Sequence, residues 1–190
     1  GTMGASRWRT YREGDRDRMR VPFGWSRQGA PAELNIKEEA EQGMGSHGLI
    51  LGYTGAGKGT LLVNILLGLT ARHTPEQLNL VLVDYKGEAT FDGFEKLNHT
   101  VEIISNLSSK DMIDRLEAVL RGEVERRQRI RSEYGTRTVG KKFRDAMTYL
   151  KARERGADLP PFPTLLVVVD EFTALLKEHP EFRDVFEHLA

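Results

Sequence analysis

The sequence predicts a three-layer α/β domain: a mostly parallel sheet with helices on both faces and a β-hairpin before it. Three observations carry this expectation. Short apolar runs at 47–52, 78–84, 101–105 and 164–170 alternate with longer stretches of helical length. These runs are unbroken rather than alternating apolar with polar, which marks strands buried on both faces, as in a parallel sheet covered by helices. Two of the runs end in residues suited to the carboxyl edge of such a sheet: a glycine-rich loop with a lysine, and an Asp-Glu pair.

Composition sets the outer bounds. The 190 residues suit one domain with small additions, and 39% hydrophobic with 29% charged residues is an ordinary globular balance. Lys plus Arg equals Asp plus Glu at 28 each. The basic excess that phosphate-backbone binding usually requires is therefore missing, and no nucleic-acid partner is expected. With no cysteine, disulfides and thiolate metal sites are excluded. No apolar run reaches the ~18 residues of a membrane span, and no signal peptide is visible. Gly1 to Ser6 reads as a vector scar. Residues 1–19 are taken as tag and linker, and 20–190 as one domain. The stretch 7–20 holds six Arg against three acids and reads either as a solvated linker or as a contact to a neighbouring domain.

The elements are expected in the following order. Residues 20–36 contain two short runs around a glycine-bearing turn, a hairpin signal. Pro22 and Pro31 place it at an edge, as an appendage to the main sheet. The first core strand is His47 to Gly52, followed by a helix over Leu61 to Ala71. Strands follow at Leu78 to Asp84 and Val101 to Ser105. Ile113, Leu116, Val119, Leu120 and Val124 keep a period near 3.6 and predict a helix from Asp111 to Tyr134. Ser108 with Asp111 resembles a capping box at its start, and Gly135 stands as its stop signal. A further helix is expected from Lys142 to Arg155, ended by Gly156. Pro160, Pro161 and Pro163 make a stiff connector into the most apolar strand, Thr164 to Asp170. The helix after it restarts at Pro180.

The chemistry centres on Gly52-Tyr53-Thr54-Gly55-Ala56-Gly57-Lys58-Gly59-Thr60, which fits G-x-x-x-x-G-K. A triphosphate carries about four negative charges, and backbone N–H groups must come close to its oxygens. Glycines let the loop curl without Cβ clashes. The helix opening near Lys58 aims its positive end at the phosphates, and the Lys58 ammonium reaches the terminal ones. This is the Walker A pattern, here after an apolar run and before an apolar helix. One position departs from it: Gly59 stands where a Ser or Thr hydroxyl would bind Mg²⁺. Thr60 is rotated about 100° along the helix, so it is expected to face the α-phosphate instead. Mg²⁺ is then left to phosphates, waters and Asp170.

The second signal is Leu165 to Glu171, LLVVVDE, a Walker B strand end. Asp170 is placed to hold Mg²⁺, directly or through water. Glu171 is placed to orient and deprotonate a water attacking the γ-phosphate. Lys58 and Glu171 are thus the expected catalytic pair of an ATPase whose cofactors are ATP and Mg²⁺. Asp84-Tyr-Lys-Gly-Glu88 ends the second strand on the same edge and reads equally as a polar turn. Glu123, Glu125, Arg126, Arg127 and Arg129 read as a solvated helix face laced with i,i+4 pairs.

In this order the residues resemble the FtsK/SpoIIIE family of hexameric motor ATPases. They look like the EccC ATPase modules of type VII (ESX) secretion systems in RVPFGWSRQGAPAELNI, MGSHGLILGYTGAGKG, VDYKGEATF and LLVVVDEF. The resemblance implies a RecA/ASCE-like P-loop NTPase fold. It also implies a membrane-associated assembly on the cytoplasmic face of the bacterial plasma membrane, working as a hexamer with further ATPase modules and membrane components, on WXG100-type substrates. In that class a sensor strand lies between the Walker A and Walker B strands. Residues 173–190 read as helix, so the domain is expected to be incomplete before that strand, with another segment or chain filling the gap. Three rivals stand beside this reading. One is a DNA translocase of the same fold. The second is a nucleotide kinase, since adenylate kinase loops also carry Gly after the Lys. The third is a non-hydrolysing scaffold, which Gly59 favours.

Overall fold

The computed structural model describes residues 11–187 apart from 13, 54, 88 and 106–109. The Ser108 capping position and the vector-scar and Arg7–Thr10 readings lie outside the described residues. The elements are β1 (Arg20–Trp25), β2 (Pro31–Asn35), α1 (Lys58–Thr70), β3 (Leu78–Asp84), β4 (Thr100–Ser105), α2 (Lys110–Val139), α3 (Ala146–Glu154), β5 (Thr164–Asp170), α4 (Phe172–Glu178) and α5 (Phe182–Glu187).

Three strands form one parallel sheet in the order β4-β3-β5. The central strand β3 obeys the period of two that a pleated strand imposes. Val81 and Val83 join Ile104, Ile113, Leu116, Leu120, Leu175 and Phe182 on the face covered by α2, α4 and α5. Leu78, Leu80 and Leu82 join Ile65, Leu66 and Leu69 of α1 on the other face. A continuous apolar run thus serves two cores at once, which is why it showed no alternation in sequence.

The hairpin β1–β2 is a separate antiparallel pair with a bulge between Pro22 and Gly24. It forms its own two-stranded sheet, set apart from the main one. It packs on α1, where Val21 and Met19 enter the same core as Leu66 and Leu69. A Cβ on Gly68 would lie 2.4 Å from Val21 Cγ2, so the helix presents its bare backbone to the strand.

Two further expectations are corrected. The run 47–52 is not a strand: among the described residues it has no ladder partner. Only Ile50 of this stretch packs against the core, while Leu49 and Leu51 are 64% and 79% exposed. A strand without a neighbour cannot satisfy its N–H and C=O groups by pairing. On its side of the sheet β5 is only partly buried at all seven residues, and among the described residues it pairs with β3 alone.

The second correction is that α2 does not stop at Gly135 but runs 30 residues to Val139, about 45 Å. Gly135 serves close approach instead. A Cβ there would lie 2.5 Å from the Lys141 carbonyl and 2.6 Å from the Phe143 nitrogen, where the returning chain crosses the helix. Phe143 then seeds a satellite core with Tyr149, Leu159 and Phe162. The next helix starts at Ala146 rather than Lys142, because Asp145 caps it by accepting the Thr148 N–H at 2.7 Å.

Candidate functional site

The loop 52–57 is built by its glycines. Gly55 and Gly57 have φ of +78° and +82°, a region closed to most side chains. Gly57 is the residue before α1, and its carbonyl accepts the Leu61 N–H at 2.9 Å. The helix begins at Lys58, so its unpaired N–H groups and positive end face the loop, as an anion site requires. Lys58 Nζ donates to the Gly52 and Tyr53 carbonyls at 3.1 and 3.3 Å, folding the side chain over its own loop. Tyr53, Ala56 and Thr60 are exposed, and Thr54 lies outside the described residues.

The opposite wall comes from β3 and β5. Their parallel register pairs Asp84 with Asp170, so both strand-end carboxylates sit side by side at the carboxyl edge. Asp84, 2% exposed, organises the loop that follows it. Its Oδ1 accepts the Gly87 N–H at 2.8 Å, and its Oδ2 accepts the Thr90 N–H at 3.2 Å. The loop turns through left-handed backbone at Gly87 and Ala89. Thr90 Oγ1 then donates to Asp170 Oδ2 at 2.8 Å. On its other side Thr90 reaches α1: a Cβ on Gly59 would lie 3.4 Å from the Thr90 methyl. The first turn after the glycine loop, Thr90 and Asp170 are therefore contiguous. Lys58, Gly59 and Asp170 belong to one neighbourhood on one sheet edge.

Glu171 occupies left-handed backbone at φ 57°, ψ 38°, immediately before α4. A non-glycine residue there costs about 1–3 kcal/mol and persists only where the surroundings enforce it. The enforcement is visible on both sides. The Glu171 N–H donates to Asp170 Oδ1 at 2.9 Å. At the far end of α4, Glu178 accepts the Tyr85 hydroxyl at 2.6 Å. Burial, with that carboxylate beside it, pushes the Tyr85 phenol up to about 12, so it stays a donor. The Glu171 carboxylate pairs with Lys86 Nζ at 3.2 Å.

A model of the FtsK/SpoIIIE family matches residues 3–190. The chain belongs to that family. It is 46% identical over 187 residues to the ESX-1 secretion system protein EccCa1 of Mycobacterium tuberculosis, a match covering 97% of this chain and 25% of that protein. It is 47% identical over 172 residues to the ESX secretion system protein EccC of Thermomonospora curvata, covering 90% of this chain and 13% of that one. The cytoplasmic domain of the Thermomonospora curvata type VII secretion ATPase EccC superposes with a TM-score of 0.85 at 46% identity, over 96% of this chain and 20% of that chain. The chain thus spans a quarter or less of the curated relatives it matches. ATPases 2 and 3 of the same EccC, solved with a signal sequence peptide, share the fold alone, with a TM-score of 0.55 at 21% identity, covering 90% of this chain and 28% of that chain. These matches bear out the resemblance carried by the motifs.

Set in an FtsK/SpoIIIE domain, the donor set suits a hard cation. Among the described residues no three His, Cys, Asp or Glu side chains converge to hold a metal by themselves. A carboxylate beside a hydroxyl, as at Asp170 and Thr90, offers the hard oxygen atoms that Mg²⁺ favours. Sequence reasoning missed Thr90. The neighbouring stretch Asp84 to Glu88, which reads equally as a polar turn, holds Thr90 in place through Asp84, and Glu88 lies outside the described residues. The reading of 123–129 as a solvated face also fails at Arg127. Its guanidinium pairs with Glu123 at 2.7 Å, donates to the Pro163 carbonyl at 2.7 Å, and sits 4.9 Å over the Phe162 ring. It fastens α2 to the proline connector that feeds β5. No helix among the described residues is long and apolar enough to cross a membrane.

Proposed function

We propose that this chain is an ATP-binding module of a type VII secretion ATPase, coupling ATP binding and hydrolysis to protein export. The observation that carries this is the contiguity of the glycine loop's helix, Thr90 and Asp170 on one sheet edge. The 46% identity to EccCa1 over nearly the whole chain supports the assignment to secretion.

In this reading the loop N–H groups and the start of α1 bind the phosphates. Lys58 turns from the exposed loop carbonyls to the terminal phosphates. Asp170 holds Mg²⁺, whose charge offsets that of the phosphates when bound. Glu171 orients the attacking water and takes its proton. The parent assembly is a hexamer with further ATPase modules and membrane components, on the cytoplasmic face of the bacterial plasma membrane, with small WXG100-type proteins as substrates. Net charge of zero argues against the DNA-translocating alternative.

A second reading has two observations in its favour. Glu171 is tied to Lys86 and the Mg²⁺-binding position after Lys58 is a glycine, which suits a module that binds ATP without turnover. Calorimetry with ATP and Mg²⁺, followed by a phosphate-release assay, separates the readings. Binding tighter than 1 mM, about −4 kcal/mol, that is lost in Lys58→Ala supports the nucleotide site. Absence of binding ends it. Binding without phosphate release, even with the neighbouring modules added, selects the scaffold.

A further inference from the structure

We propose that the Thr90 hydroxyl replaces the Ser or Thr hydroxyl missing after Lys58, and that Thr90 and Asp170 together hold the divalent cation of the bound nucleotide. This rests on the ATP-binding reading above and names a residue that the Walker pattern does not contain.

The argument begins with space. Residue 59 is the first-turn position from which a side chain would project toward the phosphates and Asp170. In this chain Thr90 borders that place. A Cβ built on Gly59 meets Thr90 Cγ2 at 3.4 Å and Thr90 Oγ1 at 3.8 Å. Thr90 thus brings a hydroxyl next to the place that a serine at 59 would occupy, from a different element.

The hydroxyl also has the right neighbour. It donates to Asp170 Oδ2 at 2.8 Å. A hydroxyl that gives its proton to a carboxylate keeps its lone pairs for a cation. Mg²⁺ takes hard oxygen ligands and few of them from protein.

The placement is enforced from behind. Asp84 is buried, pairs in register with Asp170, and accepts the N–H groups of both Gly87 and Thr90. The loop passes through φ 60° at Ala89 to make the turn, a strain that a merely solvated loop would relax. A second-strand aspartate therefore acts as the positioning residue for a third-party ligand.

A bland role remains distinguishable: Thr90 as a pin between loop and strand. The test is equilibrium binding of a non-hydrolysable ATP analogue to this chain, with Mg²⁺ and again with EDTA. It is paired with Mn²⁺ affinity of the nucleotide complex by electron paramagnetic resonance. Thr90→Val keeps the shape and removes the hydroxyl. It is expected to weaken Mn²⁺ and to cut the Mg²⁺-dependent gain in nucleotide affinity about tenfold, leaving affinity in EDTA unchanged. Thr90→Ser is expected to keep the gain. Gly59→Ser combined with Thr90→Ala is expected to restore it from the conventional position. A Thr90→Val protein with the wild-type gain, or with equal losses in Mg²⁺ and EDTA, overturns the proposal and leaves the ATP-binding reading standing. Wild-type protein that binds no nucleotide in either buffer overturns both.

Discussion

Lys86 Nζ lies 3.2 Å from the Glu171 carboxylate, and the two side chains come from adjacent strand ends on the same edge of the sheet. The pair is half-exposed, at 48% and 32% side-chain accessibility, and pairs of that kind contribute about 1 kcal/mol or less. It therefore tethers the carboxylate without locking it. If Glu171 is the base, Lys86→Met should leave nucleotide affinity unchanged and raise basal phosphate release by no more than about fivefold. Glu171→Gln should lower it by about 10²–10⁴-fold while ATP still binds. Steady-state phosphate release with parallel calorimetry checks both. A Lys86→Met protein with weakened nucleotide binding would mean that the lysine contacts phosphate instead.

Gly68→Ala should destabilise the protein although alanine is the better helix former by about 1 kcal/mol. The new methyl would meet Val21 Cγ2 at 2.4 Å. Val21 is 1% exposed and β-branched, so it cannot swing aside cheaply. Overpacking of this kind costs about 1–3 kcal/mol, which outweighs the gain in propensity. Urea unfolding measures the net loss. Adding Val21→Ala to Gly68→Ala should recover part of it, because the clash is then gone.

Two groups give the acid side of the stability curve separate origins. His73 is buried, accepts the Met19 N–H on Nε2 at 3.0 Å and contacts the Leu69 carbonyl through Nδ1 at 2.9 Å. A backbone N–H can only donate, so the ring is neutral with its proton on Nδ1. Burial, assisted by Arg18 and Arg72, holds its pKa below the ordinary 6.5. The unfolded chain then binds the proton more readily. The stability contributed by His73 is complete above about pH 6.5 and is lost as pH falls from there, with a slope of at most about 1.4 kcal/mol per pH unit.

Asp145 acts lower. Hydrogen bonds from the Thr148 hydroxyl and N–H, with Arg144 alongside, hold it at about 2 against an ordinary 3.8. Its contribution persists above about pH 4 and disappears as pH falls toward 2. Unfolding midpoints between pH 7.5 and 2.5 check this. His73→Gln should flatten the limb that starts near pH 6.5, and Asp145→Asn the limb that starts near pH 4. The reverse pattern would show the assignments exchanged.

The parts of the fold legible in sequence were those whose signal is local. The span of β3 follows from seven contiguous residues with a single acid at the end. The start of α1 follows from glycines that only a left-handed loop requires. What misled was a residue whose role is set by something distant. Gly135 carries the ordinary mark of a helix end, yet it is glycine because Lys141 and Phe143 return across it. Arg127 looks solvated in a charged run, yet Pro163 and Phe162 are folded against it. Thr90 is one polar residue in a polar loop until β3 and β5 are known to be neighbours. The register between Asp84 and Asp170 then brings it to the site. The apolar run at 47–52 had the composition of a strand, but pairing is a property of two segments, and composition reports one.

The open flank of β5 has a mechanical consequence. Among the described residues no ladder fixes the lateral distance between the glycine loop on one side and Asp170 on the other. The span between them is occupied by a threonine side chain that lies beside Gly59 of one wall and is hydrogen-bonded to the other. An element that slid into the flank would act as a feeler gauge, setting the width of the jaw in which a triphosphate is gripped. Grip strength would then be dictated by whichever segment occupies that flank.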